Sequence, residues 1–308
     1  MKILVTGGAG FIGSHLVDKL VTEGHQVAVV DDLSSGSQEN LNEKVDFLEI
    51  DISDQSKIND LLSKEKFEVI VHTAAQKNVR YSVDNPQFDA EINIVGSLNL
   101  LEAGRKAGLR KFIFLSTGGA IYGDTDDRPT PESHLPKPAS PYGITKLAVE
   151  NYLYYYQLQY QLPYVALRLS NVYGPRQDPK GEAGVVAIFY TKIKQGEQPI
   201  INGDGKQTRD YIYVSDVVEA VSLSLGDKAL GIYNVGVSKE TSVNQLFKEI
   251  VQSVGQEIPE KHGPALPGEQ QTSCLDITKI KERLGYQPKV DLEAGLKQTK
   301  EWFYQNEG

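Results

Sequence analysis

The stretch Thr6-Gly-Gly-Ala-Gly-Phe-Ile-Gly13 decides the fold because of the segments on either side of it. It follows Ile3-Leu-Val5, an apolar run typical of a buried strand, and precedes residues 14–22, whose periodicity is that of an amphipathic helix. Its glycines fit both G-x-G-x-x-G and G-x-x-G-x-x-G, the second pattern beginning with Gly7 and Gly10. Glycine permits a tight turn and lets a pyrophosphate approach the amides at a helix N-terminus. The stretch therefore predicts a strand–turn–helix unit that binds a dinucleotide.

An acidic residue ends the second predicted strand. Asp31 follows Gln26-Val-Ala-Val-Val30, and a carboxylate in this position can accept hydrogen bonds from the adenosine ribose hydroxyls. Asp32 stands beside it and no arginine is nearby, so a 2′-phosphate would be repelled and NAD is favoured over NADP. A glycine turn without a ligand is the alternative, and the position of Asp31 disfavours it.

Strand-like runs alternate with helix-like segments through the first half of the chain, which predicts an α/β fold with a Rossmann-type doubly wound parallel sheet. After about residue 170, glycine, proline and polar residues become frequent. We expect residues 1–170 to form the NAD-binding domain, with 217–235 returning to it. We expect 171–216 and 236–308 to form a smaller C-terminal lobe for the substrate.

Two further strand ends fit the same ligand. Asp51 and Ile52 follow the third predicted strand, where a carboxylate could meet the adenine amino group. Ala74 and Ala75 follow the fourth, where small residues would admit the middle of the cofactor. A helix cap or turn role is the alternative for Asp51.

The composition excludes several classes of function. The net charge of −9 over 308 residues argues against nucleic acid or an anionic membrane as the main partner. One cysteine and five scattered histidines predict neither a disulfide nor a metal site. The sequence opens on a strand and contains no apolar run near 18 residues, so we expect no signal peptide, no membrane span and a cytoplasmic location.

A second motif carries acid–base chemistry. Ser140-Pro-Tyr-Gly-Ile-Thr-Lys146 opens a predicted helix, with Ser140 as the N-cap. Tyr142 and Lys146 are four residues apart and share one helix face. A neighbouring ammonium and a positive nicotinamide ring favour the phenolate, which would make Tyr142 a usable base. Tyr190 and Lys194 have the same spacing, but lack the Ser-Pro entry, and are interpreted as a chance match.

Hydroxyls and then glycines end the fifth predicted strand, in Leu115-Ser-Thr-Gly-Gly-Ala-Ile-Tyr-Gly123. A hydroxyl at the end of a parallel strand is well placed for chemistry, and the Gly118-Gly119 pair leaves room for a bulky group. The reacting hydroxyl is Thr117 or, because the glycines make the alignment ambiguous by one residue, Ser116.

Together these motifs resemble the extended short-chain dehydrogenase/reductase family, also called the NAD-dependent epimerase/dehydratase family. Within it the chain is most similar to the UDP-glucose 4-epimerases, over nearly its whole length. Three more segments carry the resemblance: His72-Thr-Ala-Ala-Gln-Lys77, Arg168-Leu-Ser-Asn-Val-Tyr-Gly-Pro-Arg176 and Gly203-Asp-Gly-Lys-Gln-Thr-Arg-Asp-Tyr-Ile-Tyr-Val-Ser-Asp216.

The resemblance implies a set of ligand contacts. The substrate diphosphate would meet Asn171 and Arg209, and a salt bridge from Arg209 to Asp210 or Asp216 is the alternative. A small residue at Ser273 would leave room for an N-acetyl group on the sugar. The other implied cofactor contacts are Phe11, Ile12, Ser35, Gly36 and Lys77; the other implied substrate contacts are Lys77, Thr117, Tyr142, Val185 and Val186.

Two positions depart from the family pattern. Relatives usually have an arginine where Leu266 precedes Pro267-Gly-Glu269, so one diphosphate contact is missing unless Lys261 or His262 replaces it. Relatives often have an aromatic residue before Gly203, where this chain has Asn202.

The resemblance implies 4-epimerisation of a UDP-hexose. Thr117 would hold the sugar's 4-hydroxyl while Tyr142 removes its proton and a hydride passes to NAD. Related 4,6-dehydratases carry Asp-Glu after the threonine, whereas this chain has Gly118-Gly119, which favours oxidation and re-reduction alone. Another epimerase or dehydratase of the family, or a non-catalytic NAD-binding regulator, is the alternative. Similar enzymes dimerise through two helices, so residues 89–107 and the tyrosine-rich 151–160 predict a homodimer.

Overall fold

Twelve strands and twelve helices are found in the residues that the computed structural model describes, which are 1–179, 184–266 and 270–305. The strands are β1 (Lys2–Thr6), β2 (Gln26–Asp31), β3 (Asp46–Glu49), β4 (Val69–His72), β5 (Lys111–Thr117), β6 (Tyr164–Leu169), β7 (Asn171–Tyr173), β8 (Ile201–Asn202), β9 (Thr208–Tyr213), β10 (Gly231–Val235), β11 (Glu240–Ser242) and β12 (His262–Gly263).

As far as β6, one or more helices separate consecutive strands, except between β2 and β3. They are α1 (Phe11–Thr22), α2 (Gln55–Lys64), α3 (Val79–Asp84), α4 (Pro86–Ala90), α5 (Gly96–Ala107), α6 (Gly118–Ile121), α7 (Pro141–Tyr160), α8 (Val185–Lys194), α9 (Val214–Ser224), α10 (Val243–Val254), α11 (Thr278–Leu284) and α12 (Leu292–Gln305). A π-helical turn, Glu91–Val95, joins α4 to α5, and a short 3₁₀ turn lies at Gln38–Asn40.

Seven parallel strands form the main sheet, in the order β3-β2-β1-β4-β5-β6-β10. The chain winds outward from β1 to β3 and then returns to place β4, β5 and β6 on the other side. This order is that of the Rossmann fold with one added strand. The predicted doubly wound parallel sheet is confirmed.

Both faces of the main sheet are buried, because successive side chains of a strand point to opposite faces. Ile3 and Val5 of β1 lie in one core cluster together with Leu16 of α1 and Val217 of α9. Leu4 lies in the opposite cluster, which also includes buried residues of α2, α5 and α7. Helices on both faces leave the carboxyl edge of the sheet as the place where a ligand can reach the strand ends.

A third core cluster lies in the second half of the chain. It contains residues of α8, α10 and α12 beside the three-stranded sheet β11-β9-β7, and β8 pairs with β12 next to it. Ile280 of α11 and Tyr286, in contrast, pack in the cluster with Ile3 and Val5 under the main sheet. The domain boundaries drawn from composition stay a prediction.

Neither a membrane span nor a metal-binding cluster is found in the described ranges. No helix in them is both long and apolar enough to cross a membrane. No group of three or more histidine, cysteine, aspartate or glutamate side chains in them is arranged to hold a metal ion.

Candidate active site

The turn between β1 and α1 is shaped so that only glycine fits at two of its positions. Gly7 has a φ of +71°, and a Cβ added there would lie 2.6 Å from the backbone nitrogen of Ala74. A Cβ on Gly13 would lie 2.1 Å from the carbonyl oxygen of Gly7. Gly10, the N-cap of α1, has no side chain to occupy the first amides of that helix. The turn therefore offers amides and space to a pyrophosphate.

Asp31 ends β2 beside this turn and is 6% exposed. Its carboxylate accepts hydrogen bonds from the backbone nitrogens of Ala9 and Leu33, each at 2.9 Å. Burial raises the pKa of Asp31, while these hydrogen bonds and the charge of Lys77 lower it. Asp32, the next residue, is exposed and accepts a hydrogen bond from the backbone nitrogen of Ser34. Two adjacent carboxylates at the end of β2 would repel a ribose 2′-phosphate bound there, which suits NAD.

The other strand-end positions lie along the same edge of the sheet. Asp51 accepts a hydrogen bond from the backbone nitrogen of Ser53 at 2.8 Å, so the turn role considered for it is present. Ile52 is buried, whereas Ala74 and Ala75 after β4 are half-buried. Their contacts with the cofactor stay predictions.

The remaining implied cofactor contacts surround the glycine turn. Phe11 and Ile12 are the first residues of α1 and are half-buried. Gly36 packs on the turn so closely that a Cβ there would lie 2.9 Å from the carbonyl carbon of Ala9. Ser35 beside it is exposed.

Helix α7 presents the tyrosine and the lysine. The Ser140 hydroxyl accepts a hydrogen bond from the backbone nitrogen of Gly143 at 3.2 Å, which confirms the expected N-cap. The backbone nitrogen of Tyr142 donates to the Ser82 hydroxyl of α3, also at 3.2 Å. The first turn of α7 is thereby fixed both by its own cap and by a neighbouring helix.

Lys146 points inward from α7 and is 3% exposed. Its ammonium donates to the carbonyl oxygen of Leu115 at 3.0 Å, and it lies 4.6 Å from the ring centroid of Phe114 and 5.9 Å from that of Tyr142. Burial lowers the pKa of Lys146 to about 8, although the charges of Asp89 and Glu150 act in the opposite direction.

Tyr142 is held in its protonated form in the protein alone. Burial raises its pKa above the ordinary value near 10, and the charge of Asp89 raises it further. Without the cofactor, the charge of Lys146 does not offset these two effects, so stabilisation of the phenolate by the ammonium together with the nicotinamide ring stays a prediction. A positive nicotinamide ring would supply the additional stabilisation that a phenolate needs.

The second tyrosine–lysine pair has structural roles. The hydroxyl of Tyr190 donates to the carbonyl oxygen of Leu296 at 2.9 Å in the core of the second half. Lys194 donates to the carbonyl oxygen of Phe303 at 2.9 Å. Both contacts tie α8 to α12, in agreement with the interpretation of this pair as a chance match.

The two hydroxyls that end β5 face different surroundings. Ser116 is buried, and its hydroxyl donates a hydrogen bond to the Glu150 carboxylate at 2.6 Å. The same carboxylate forms a 2.6 Å ion pair with Arg168. Thr117 caps α6, where its Oγ1 accepts a hydrogen bond from the backbone nitrogen of Ala120 at 3.2 Å. Since that contact uses only an acceptor site, the Thr117 hydroxyl can donate to a ligand. The geometry therefore favours Thr117 over Ser116.

The two glycines after Thr117 are not equivalent. A Cβ on Gly118 would lie 2.5 Å from a methyl carbon of the buried Leu275. Among the described residues, a Cβ on Gly119 would make ordinary contacts with the Asn171 side-chain oxygen at 3.8 Å and the Thr117 hydroxyl at 3.9 Å. The expectation that both glycines leave room for a ligand is therefore wrong for Gly118, whose space is filled by Leu275.

The residues implied for the diphosphate come from β7 and β9. Asn171 is exposed at the start of β7 and lies beside Gly119. Arg209 is half-buried in β9, and its guanidinium donates to the carbonyl oxygen of Thr208. The carboxylates of Asp210 and Asp216 each accept hydrogen bonds from backbone amides. Burial raises the pKa of Asp210 to about 6.

The residues implied for the nucleoside and the sugar differ in accessibility. Val186 is 1% exposed and belongs to the core cluster, whereas the preceding Val185 is half-buried. Ser273 is buried, and its backbone nitrogen donates to the carbonyl oxygen of Thr208. Ser273 is thus next to the strand that carries Arg209.

The two positions that depart from the family pattern lie near β8 and β12. Asn202 is half-buried in β8, and Gly263 pairs with it from β12. His262 lies 2.8 Å from the carbonyl oxygen of Gly203 through its Nδ1. Leu266 is half-buried, whereas the rest of its motif, 267–269, lies outside the described residues.

Three buried polar groups beside the tyrosine–lysine pair were not predicted. Glu150, four residues after Lys146, could have been found from helical spacing. His72 lies between the hydroxyls of Thr6 and Ser97, and burial lowers its pKa to about 3, with the Lys146 charge acting in the same direction. Asp89 contacts α7 across 56 positions of sequence, which no local pattern reveals.

A glycine turn, a strand-end carboxylate and a tyrosine–lysine pair at one sheet edge define a nucleotide-dependent enzyme that moves hydride and protons. A sequence profile of the NAD dependent epimerase/dehydratase family matches residues 3–236, and the chain belongs to this family. The predicted family and the predicted cofactor, NAD, are confirmed.

Individual relatives cover the chain almost completely. It is 47% identical over 310 residues, or 98% of each chain, to the UDP-glucose 4-epimerase of Mycolicibacterium smegmatis. A crystal structure of UDP-glucose 4-epimerase with UDP-glucose from Thermotoga maritima shares 51% identity and a TM-score of 0.96, with 99% of both chains covered. The Thermus thermophilus UDP-glucose 4-epimerase in complex with NAD shares 41% identity and a TM-score of 0.94, again over 99% of both chains.

The contrast between the two glycines predicts a difference in stability. Gly118→Ala should lower the free energy of unfolding by about 1–3 kcal/mol, because the new methyl group overlaps Leu275. Gly119→Ala should stay within about 0.5 kcal/mol of the unmodified protein. Urea unfolding followed by circular dichroism measures both values. Equal stabilities of the two variants would show that Leu275 does not limit Gly118.

Proposed function

We propose that the protein is an NAD-dependent UDP-hexose 4-epimerase that interconverts UDP-glucose and UDP-galactose. The observation that carries this proposal is the placement of Tyr142 and Lys146 on α7 next to the strand end that bears Thr117 and the open Gly119. The high identity to UDP-glucose 4-epimerases over whole chains supports the same activity and a UDP-sugar as substrate.

NAD fits the residues that are present. The cradle at Gly7 and Gly13 would receive the pyrophosphate, and Asp31 would accept hydrogen bonds from the adenosine ribose. Lys146 would donate to the ribose of the nicotinamide. When bound, NAD supplies a reversible acceptor for the hydride that leaves the sugar at C4.

The chain's own residues manage the proton. Thr117 donates a hydrogen bond to the oxygen on C4 and orients it. With NAD bound, the ammonium of Lys146 and the positive nicotinamide ring would favour the phenolate of Tyr142. That phenolate takes the proton of the 4-hydroxyl and becomes the phenol. Tyr142 returns the proton when the 4-keto sugar is reduced on its opposite face. Net redox change is zero, and only the configuration at C4 differs.

Epimerisation is favoured over elimination because of the side chains at the strand end. A dehydratase needs an acid and a base to remove water from C5 and C6, and the positions after Thr117 are Gly118 and Gly119. Glycine can neither donate nor accept a proton through a side chain. The open space at Gly119 suits a sugar that must turn over between the two half-reactions.

The same site is proposed to accept N-acetylated UDP-hexoses. Ser273 is small, lies beside β9, and is not turned towards solvent. A small residue on this wall leaves volume for a substituent at C2 of the sugar.

We further propose a homodimer. Exposed apolar side chains lie on the two neighbouring helical stretches, α4 to α5 and α7, and contiguous surfaces of this kind mark protein interfaces. Tyr156 packs inward and its hydroxyl donates to Glu102, whereas the other tyrosines of residues 151–160 are exposed. The exposed members are Phe88, Val95, Ile144, Tyr152, Tyr154, Tyr155, Leu158 and Tyr160.

Removal of the proposed base tests the function. The unmodified protein should interconvert UDP-glucose and UDP-galactose, and Tyr142→Phe should be slower by at least about a hundredfold, since general base catalysis contributes on that scale. NMR of the products, with UDP-glucose and UDP-N-acetylglucosamine supplied separately, measures both activities. NAD binding should persist in the variant. An undiminished rate in Tyr142→Phe would remove this residue from the mechanism.

Sedimentation equilibrium at micromolar concentration tests the dimer. The unmodified protein should have twice the mass of one chain, and Tyr152→Arg should shift it towards the monomer because a charge would be buried in an apolar interface. Leu230→Arg introduces the same charge at an exposed site at the start of β10, and should leave the dimer intact. A monomeric mass for the unmodified protein would contradict the proposal.

A further inference from the structure

Asp89 of α4 is a fully buried carboxylate that no step above uses. One of its oxygens accepts hydrogen bonds from the side-chain nitrogens of Gln76 at 2.8 Å and Asn93 at 3.0 Å. The other accepts from the Thr145 hydroxyl at 2.8 Å. The three donors belong to the loop after β4, the π-helical turn and α7, so one carboxylate joins three separate segments.

Each of these segments carries part of the proposed site. Gln76 lies between Ala75 and Lys77, which the proposed function places on the wall of the cofactor cleft. Asn93 bonds both the backbone nitrogen and the backbone oxygen of Gln76, at 2.9 and 3.0 Å. Thr145 immediately precedes Lys146 on α7. The Asp89 cluster, which is Asp89 with Gln76, Asn93 and Thr145, therefore connects the cleft wall to the helix that bears the base.

The charge of Asp89 is not offset within its own cluster. Its three side-chain donors are all neutral, and a buried carboxylate is costly unless a positive charge compensates it. The charges of Asp89 from α4 and of Glu150 from its own helix both raise the pKa of Lys146. The other titratable groups near Lys146 in the described part of the chain are His72, whose pKa the Lys146 charge lowers, and Tyr142, whose ring centroid lies 5.9 Å from the Lys146 ammonium. Glu150 is already paired with Arg168 at 2.6 Å.

We propose that Asp89 is a positioning residue of the reaction, which keeps Lys146 in its ammonium form and fixes α7 against the wall of the cofactor cleft. This role deepens the proposed epimerase function and rests on it for its consequences in catalysis. The electrostatic part does not depend on which substrate is turned over.

The direction of the effect follows from burial and charge. Burial lowers the pKa of Lys146 to about 8, and Asp89 opposes this effect. Without the Asp89 charge, Lys146 would lose its proton at a lower pH. The same carboxylate raises the pKa of Tyr142, so removing its charge should move both limbs of the pH–activity profile towards lower pH.

The substitution Asp89→Asn removes the negative charge of the carboxylate and can retain the hydrogen bonds of the Asp89 cluster. The new amide oxygen can accept from Gln76 and Asn93 as before. The new amide nitrogen can donate to the Thr145 hydroxyl, whose own proton is then directed to the carbonyl oxygen of Tyr142, already 2.9 Å away. The network can therefore persist while the negative charge is lost. Asp84→Asn, an exposed carboxylate on the adjacent α3, is the matched control.

The direct measurement is the titration of Lys146. In protein labelled with ¹³C at the lysine ε-carbons, the Lys146 resonance is the one that Lys146→Arg removes. Asp89→Asn should lower its titration midpoint by about one pH unit or more, the usual scale for loss of one nearby opposite charge. Asp84→Asn should leave the midpoint unchanged. An unchanged midpoint in Asp89→Asn would overturn the proposal.

Two further measurements test the proposal, the charge state of Lys146 at pH 7 and the pH profile of sugar interconversion. In the unmodified protein Lys146 should be an ammonium at pH 7, and a neutral Lys146 there would overturn the proposal even if the variant failed to fold. The pH profile of sugar interconversion should move to lower pH in Asp89→Asn, and a uniform loss of rate at every pH would contradict the electrostatic role. Absence of interconversion in the unmodified protein would instead contradict the proposed function, and the lysine titration would still decide the role of Asp89.

Discussion

A buried ammonium is the constraint around which this site is organised. Lys146 lies between α7 and β5, where burial disfavours its charge. The Leu115 carbonyl accepts one of its protons, and the carboxylates of Asp89 and Glu150 offset part of the cost of burial. This arrangement holds a positive charge 5.9 Å from the ring centroid of Tyr142, where the proposed mechanism requires a phenolate. Burial thus disfavours the ammonium form of Lys146, and the proposed mechanism depends on that same charge.

The proposed cofactor cleft depends on close contacts between backbone segments at glycine residues, and not on side chains alone. Gly7 brings the first turn against the end of β4, and Gly13 brings α1 against Gly7. These contacts place the N-terminus of α1 and the carboxylate of Asp31 at the carboxyl edge of the parallel sheet. β5 ends at the same edge, which is where the proposed function needs Thr117 to be.

Much of this architecture could be predicted from the sequence because it depends on local patterns. The glycine spacing, Asp31 and the Tyr142–Lys146 pair each lie within one strand–turn–helix unit, so spacing alone predicts their neighbours. The choice between Ser116 and Thr117 could not be made, because it depends on Glu150, 34 positions away. The lack of space at Gly118 could not be predicted for a similar reason, since Leu275, from the second half of the chain, fills that space. The role of Asp89 could not be predicted from the sequence, because its three hydrogen-bond donors come from segments that only the fold brings together.

The central claim is that the sugar loses and regains the same hydrogen at C4 within one site. The most direct measurement uses UDP-glucose deuterated at C4, incubated with the protein in ordinary water and followed by NMR of the UDP-galactose formed. Oxidation and re-reduction at C4 predict that the deuterium remains on C4 of the product, with inverted configuration. Deuterium lost to water, or found at C6 of a dehydrated sugar, would contradict the account.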